Sequence, residues 1–181
     1  FKQFEKLLED QIRDQVDAII VCGTTGEAST MTEQEKLKTI EYAVNVSNGR
    51  VPIIAGTGSN NTKDVIEMNK KVKKIGVDGL LIVTPYYNKT TQQGLIKHYT
   101  KIADNTSLPI ILYNVPGRTG VNILPQTCLE LSNISNIVAI KEASGNLSQV
   151  AEIASLCRNK ITIYSGNDDQ VLPILSLGGK G

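Results

Sequence analysis

The residue whose type and setting most suggest chemistry is Lys141. It stands near the end of the apolar run Ile137–Ala143 (IVAIKEA). Read as a strand buried on both faces, with alternate side chains on opposite sides, this run puts Lys141 on the face of Ala139. An ammonium is costly to bury, so a lysine held there favours the neutral amine. A neutral amine attacks a ketone and forms a Schiff base. The plainer alternative is a lysine whose head snorkels past the strand end into water. Tyr113 occupies the matching place in the preceding run, Pro109–Val115 (PIILYNV). A phenol there shuttles protons during imine formation; a core tyrosine with a satisfied hydroxyl is the alternative.

Other residues suggest anion binding. Gly23-Thr24-Thr25-Gly26-Glu27 combines small residues, which let backbone N–H groups turn toward a carboxylate, with two hydroxyl donors. Arg118, in Asn114–Gly120 (NVPGRTG), follows the Tyr113 run on an expected loop, where a guanidinium grips a carboxylate bidentately. Tyr86-Tyr87 follows Pro85 as a pair of loop aromatics suited to an interface, a lid or catalysis. Gly56-Thr57-Gly58-Ser59-Asn60 hints at a dinucleotide fingerprint, but Asn61 stands where the third glycine belongs. Gly178–Gly181 completes no phosphate-binding loop. The single histidine, His98, excludes His-rich metal sites and argues against a Ser-His-Asp triad. It reads as a solvated helix residue.

Six apolar runs must carry these residues: Asp17–Gly23, Pro52–Gly58, Gly79–Pro85, Pro109–Val115, Ile137–Ala143 and Ile161–Asn167. Each suits a parallel strand covered on both faces. Helical patterns lie between them. Phe1, Phe4, Leu8 and Ile12 share a face, and Thr32-x-x-Glu35 is a capping box ahead of Leu37, Ile40 and Val44. Thr62 is placed to cap the stripe Val65, Met68, Val72 and Ile75, which Gly76 ends. Further stripes are Leu95, Tyr99 and Ile102, and Leu147, Val150, Ala154 and Cys157. Alternating strands and helices predict a parallel α/β sheet, either doubly wound or a (β/α)8 barrel. In a doubly wound sheet, ligand groups gather at one switch point. Here all six strand ends bear chemistry or backbone freedom, which favours the barrel and its C-terminal mouth. Such barrels run to about 250 residues. The expectation is one domain over residues 1–181, with about six βα units, lacking a first strand and a C-terminal part.

Bulk properties narrow the function class. A net charge of +1 points to neither nucleic acid nor a strongly charged partner. No apolar run approaches the roughly 18 residues that span a bilayer, and the N-terminal stretch reads as an amphipathic helix rather than a signal peptide. Cys22, Cys128 and Cys157 form an odd, unpatterned set. They read as core residues of a cytoplasmic protein.

Taken together, GTTGE (Gly23–Glu27), GTGSN (Gly56–Asn60), TPYYNK (Thr84–Lys89), YNVPGRTG (Tyr113–Gly120), IKEASGN (Ile140–Asn146) and YSGND (Tyr164–Asp168) resemble the dihydrodipicolinate synthase family in order and spacing. The resemblance implies a Schiff-base lyase on a (β/α)8 TIM barrel that condenses pyruvate with aspartate semialdehyde in lysine (diaminopimelate) biosynthesis. It makes Lys141 the nucleophile. Tyr113, Thr24 and Tyr87 become a proton relay, with Tyr87 crossing to a neighbouring subunit of a homodimer or homotetramer. Thr24 and Thr25 would hold the pyruvate carboxylate and Arg118 the carboxylate of the aldehyde. Gly166 and Asn167 would turn backbone carbonyls toward the second substrate. No cofactor or metal is implied, because the imine on Lys141 is the electron sink. The resemblance also implies a lysine-regulatory cleft at Ala28, Ser29, Glu33, Lys36, Asn60, Asp64 and Tyr86, with inhibition weakened by Lys36. An N-acetylneuraminate lyase or keto-sugar-acid aldolase would share Lys141 and Tyr113, but Thr24-Thr25 and Arg118 favour the synthase. A barrel that has lost its chemistry, or a doubly wound nucleotide-binding module, fits these residues less well.

Overall fold

Each apolar run becomes a strand, and the stretches between consecutive strands supply helices. The computed structural model describes residues 1–181. In chain order the elements are α1 (Lys2–Arg13), β1 (Ile19–Val21), α2 (Glu33–Ser47), β2 (Ile53–Gly56), α3 (Thr62–Ile75), β3 (Gly79–Val83), α4 (Gln92–Ala103), β4 (Ile110–Asn114), α5 (Pro116–Thr119), α6 (Pro125–Leu131), β5 (Ile137–Glu142), α7 (Leu147–Leu156), β6 (Thr162–Ser165) and α8 (Val171–Ser176). The strands form one six-stranded sheet in the order β1-β2-β3-β4-β5-β6. Every neighbouring pair is parallel, and the sheet curls into a half-barrel. Past α8, Lys180 N donates to Ile163 O at 2.9 Å and Ser165 N donates to Gly181 O at 2.6 Å, so residues 180–181 run along the outer edge of β6. No helix is long and apolar enough to cross a membrane.

Strand parity sorts the side chains. Val21, Ile53, Ala55, Leu80, Ile82, Ile110, Leu112 and Ile140 join the inner faces of the helices in a core of 31 buried residues. The helix-free face carries a far smaller cluster, Leu81, Tyr113 and Val115, flanked by Ile54, Val83 and Ile111. One irregularity decides what β5 presents. Ile110 pairs with Ile137, but Ile111 pairs with Ala139, so Val138 is an extra residue. This bulge lets Ile137 and Ile140 both serve the helix-side core, while Ala139 and Lys141 pair with Ile111 and Tyr113 of the other face.

The helix signals hold, with two corrections. Thr32 and Glu35 form the expected capping box, and Gly76 ends α3 at φ 98°. The cap of α3 is Asn61, whose side chain accepts from Lys63 N; Thr62 is the first helical residue. Thr62 Oγ1 instead lies 2.9 Å from Nδ1 of His98. His98 is therefore not solvated: it is 6% exposed and packs edge-on to Tyr99. Burial pushes its pKa down to about 4. The three cysteines are buried and free.

Candidate active site

Tyr113 and Lys141 are register partners on β4 and β5, and Lys141 also pairs with Tyr164 of β6. Lys141 thus stands on a rung between two tyrosines. Its Nζ lies 4.8 Å from the centroid of the Tyr113 ring. Tyr113 is buried, whereas Lys141 is half-buried rather than enclosed as the apolar run suggested. The contrast with Tyr99 is instructive, since that buried hydroxyl donates to Ile82 O at 3.0 Å within the helix-side core. Room for the lysine comes from Gly166. A Cβ there would fall 2.6 Å from Ala143 Cβ and 3.2 Å from Lys141 Cε. Gly166 N donates to Glu142 O at 2.7 Å, which fixes that close approach.

A cleft of about 540 Å³ opens at the C-terminal ends of β1 to β4, and Thr24, Tyr113 and Arg118 line it together. Close backbone packing shapes its floor. A Cβ on Gly56 would meet Cys22 O at 2.2 Å, and one on Gly58 would meet Val83 N at 2.5 Å. Arg118 belongs to the single turn α5 rather than a loop, and the ion pairs of the chain leave its exposed guanidinium free. The far end of the cleft passes Ala28, Ser29, Glu33, Lys36, Asp64 and Tyr86. There Glu33 is already paired with Lys71, at 2.5 Å.

Lys141, Thr25, Tyr87, Gly166 and Asn167 do not line this cleft. Thr25 is exposed beside Thr24. Tyr87 is 91% exposed and sits at φ 73°, pointing away from its own chain. The loop that bears it is tied down, since Asn60 Nδ2 donates to Tyr86 O at 3.2 Å and Asn88 Nδ2 to Asn60 O at 3.3 Å. The Asn167 carbonyl accepts from Ser165 Oγ at 2.7 Å and from Gln170 N at 3.1 Å. It is bonded within its own loop, with both lone pairs engaged. No group of three or more His, Cys, Asp or Glu side chains is arranged to hold a metal ion.

Sequence reasoning passed over the residues behind this site. Asn114 and Glu142 follow Tyr113 and Lys141 directly, so they pair on the next rung and face the opposite way. Both are fully buried. The signal was available: if Lys141 faces the helix-free side, parity sends Glu142 under the helices, where a carboxylate must find donors.

The profile of the Dihydrodipicolinate synthetase family matches residues 1–181. The chain is 62% identical over 181 residues to 4-hydroxy-tetrahydrodipicolinate synthase 1 of Clostridium acetobutylicum, covering 100% of this chain and 62% of that one. The crystal structure of the chloride-inhibited dihydrodipicolinate synthase from Acinetobacter baumannii, complexed with pyruvate, superposes with a TM-score of 0.97 at 46% identity, over 99% of this chain and 62% of that chain. The enzyme of Cyanidioschyzon merolae with lysine bound gives 0.95 at 46% identity, over 98% and 61%. The chain thus spans 61–62% of the length of these relatives.

Proposed function

Because this chain belongs to the dihydrodipicolinate synthetase family, we propose that it carries the Schiff-base centre of a 4-hydroxy-tetrahydrodipicolinate synthase. The observation that carries this reading is the rung that sets Lys141 Nζ against the Tyr113 ring on the helix-free face of the sheet. The amine of Lys141 adds to the ketone of pyruvate, water leaves, and an imine forms. Loss of a methyl proton gives an enamine, whose carbon attacks the aldehyde of aspartate semialdehyde. The amine of that substrate then displaces Lys141 and closes the ring.

Each step moves a proton, and Tyr113, Thr24 and a Tyr87 from a second copy form the relay. The outward reach of Tyr87 supports a homo-oligomer in which it completes a neighbour's site. Thr24 and Thr25 hold the pyruvate carboxylate, and the unpaired Arg118 takes the carboxylate of the aldehyde. Gly166 leaves the space that Lys141 fills, its carbonyl and that of Asn167 face the second substrate, and for Asn167 this requires release of Ser165 Oγ or Gln170 N. The imine supplies the electron sink, so the reaction needs no cofactor or metal. The six βα units form one domain within a closed (β/α)8 barrel, and buried free thiols fit a cytoplasmic setting.

Incubation of the full-length protein with pyruvate and borohydride tests the reading. A covalent adduct that maps to Lys141 supports it, and Lys141→Ala should lose both adduct and turnover. An adduct on a different lysine overturns it. Offering aspartate semialdehyde and sugar acids in parallel separates the synthase from the aldolases of the same scaffold.

A further inference from the structure

Glu142 is the most deeply buried acid near the site, at 1% exposure, and it has no cationic partner. A buried carboxylate in that state persists only if hydrogen bonds replace its water. Here they do. Asn114 Nδ2 lies 3.1 Å from Oε1 and 3.0 Å from Oε2, Ser144 N donates to Oε1 at 2.7 Å, and Gln149 Nε2 donates to Oε2 at 3.2 Å. The remaining polar atoms of the two amides are also spoken for. Asn114 Nδ2 donates to Asn122 Oδ1 at 2.8 Å, and Asn114 Oδ1 accepts from Ile123 N at 2.9 Å. Asn122 and Gln149 exchange amide bonds of 2.7 and 3.1 Å.

Two features tie this network to the site. The Asn114–Glu142 rung is adjacent to the Tyr113–Lys141 rung, at the C-terminal ends of β4 and β5. Asn114 also binds Asn122 and Ile123, which pinches the base of the segment that carries Arg118 on α5. One buried carboxylate thereby organises the strands of Lys141 and Tyr113 and the turn of Arg118.

We infer that Glu142 is a positioning residue: through Asn114 and Gln149 it sets the spacing of Lys141, Tyr113 and Arg118. This rests on the Schiff-base reading above. Only an acceptor fits at both of its oxygens, because Ser144 N faces Oε1, Gln149 Nε2 faces Oε2, and one Asn114 N–H is shared between the two. A glutamine in its place would turn an amide NH₂ against donors in either orientation. The pair to be spaced must approach within bonding reach, and a shift on the order of 1 Å costs roughly 10²-fold in rate.

The test compares Glu142→Gln with Tyr99→Phe in the full-length protein. Tyr99→Phe removes a buried hydrogen bond from the helix-side core, away from the site. It should lower Tm and leave kcat unchanged. Glu142→Gln should lower kcat and the rate of borohydride trapping by about 10²-fold, with little change in KM for pyruvate. A folded Glu142→Gln with wild-type kcat and trapping rate overturns the proposal, as does a loss fully explained by the unfolded fraction. Should Glu142→Gln fail to fold, Gln149→Leu removes one donor from the same carboxylate and is judged by the same criteria. If the wild-type protein itself traps no pyruvate on Lys141, the Schiff-base reading falls and this inference falls with it. Trapping in the wild type together with an indifferent Glu142→Gln sinks the positioning role alone.

Discussion

The two faces of the sheet are built to different standards. On the helix side, 31 buried residues form one continuous core, and the polar atoms of Asn114 and Glu142 are saturated with partners. On the other side only Leu81, Tyr113 and Val115 cluster, Ile20 and Tyr164 are 40% and 39% exposed, and Lys141 is half-buried. Alternation along a strand makes this division possible, because each residue that bonds the scaffold is followed by one free for chemistry. On the Schiff-base reading, stability and reactivity therefore sit on neighbouring residues and opposite faces. The sharpest way to break this division is to find a change on one face whose effect appears on the other.

The largest effect belongs to the open face. Tyr113→Phe deletes a hydroxyl without removing packing volume, so turnover should fall by roughly 10²–10⁴. Its effect on stability should stay below about 1.5 kcal/mol, the span of a single net hydrogen bond. Steady-state kinetics beside thermal denaturation of the full-length protein gives both numbers. A large fall in Tm would show that the two faces are not independent. The matching change on the helix side is Ile102→Ala on α4, at 0% exposure. It should cost about 2–5 kcal/mol of stability through lost burial and a residual cavity. The kcat of the molecules that remain folded should hold, as checked by denaturant titration and active-site counting with borohydride.

How far the sequence shows this division depends on the residue. The strands were legible because continuous apolar runs are what a sheet covered on both sides requires, and Thr32-x-x-Glu35 and Gly76 marked helix ends by local chemistry. The place of Lys141 beside Tyr113 was legible from parity. The bulge at Val138 was not, because it carries no glycine or proline and its cause is tertiary: Ile137 and Ile140 both seek the helix-side core. The Asn61 cap is not legible in sequence because Asn61 and Thr62 are both good caps, and His98 decides between them by engaging Thr62. His98 is in phase with the core, since positions 95, 98, 99 and 102 form an i, i+3, i+4, i+7 stripe, while its residue type favours solvent. Tyr87 lies at the limit of what one chain reveals, because an exposed side chain gives no sign of what meets it.

His98 provides a smaller test on the helix side. The unfolded imidazole takes up its proton near 6.5 and the folded one only near 4. Between these values the unfolded state binds more protons, so stability falls as pH falls. The loss approaches about 3 kcal/mol if the buried ring relaxes in no other way. Denaturant midpoints from pH 7 to pH 4 should decline in the wild type and flatten in His98→Gln, while imine trapping on the other face follows its own pH course. A wild-type curve with no slope in that window would mean that the folded ring accepts a proton where it stands.

The smallest effect concerns the far end of the cleft, where the question is whether that region acts apart from the chemistry. The residues there include Glu33, Lys36 and Asp64. If free lysine binds there as an effector, Glu33 offers little attraction, because Lys71 already neutralises it in an ion pair between half-exposed side chains. Lys36 forms no ion pair and adds an ammonium that repels the cation. At short range and partial exposure the repulsion is worth about 1 kcal/mol, or roughly a fivefold change in inhibition constant. Lysine should therefore inhibit weakly. Salt separates the charges, since screening a repulsion strengthens binding and screening an attraction weakens it. If Lys36 dominates, inhibition should become tighter as ionic strength rises, and Lys36→Ala should tighten it by about fivefold at low salt with kcat unchanged. Titrating lysine against wild type and Lys36→Ala at two salt concentrations reads out both. Strong inhibition that salt weakens would show that Asp64 governs this end of the cleft, and a changed kcat in Lys36→Ala would show that the two ends are coupled.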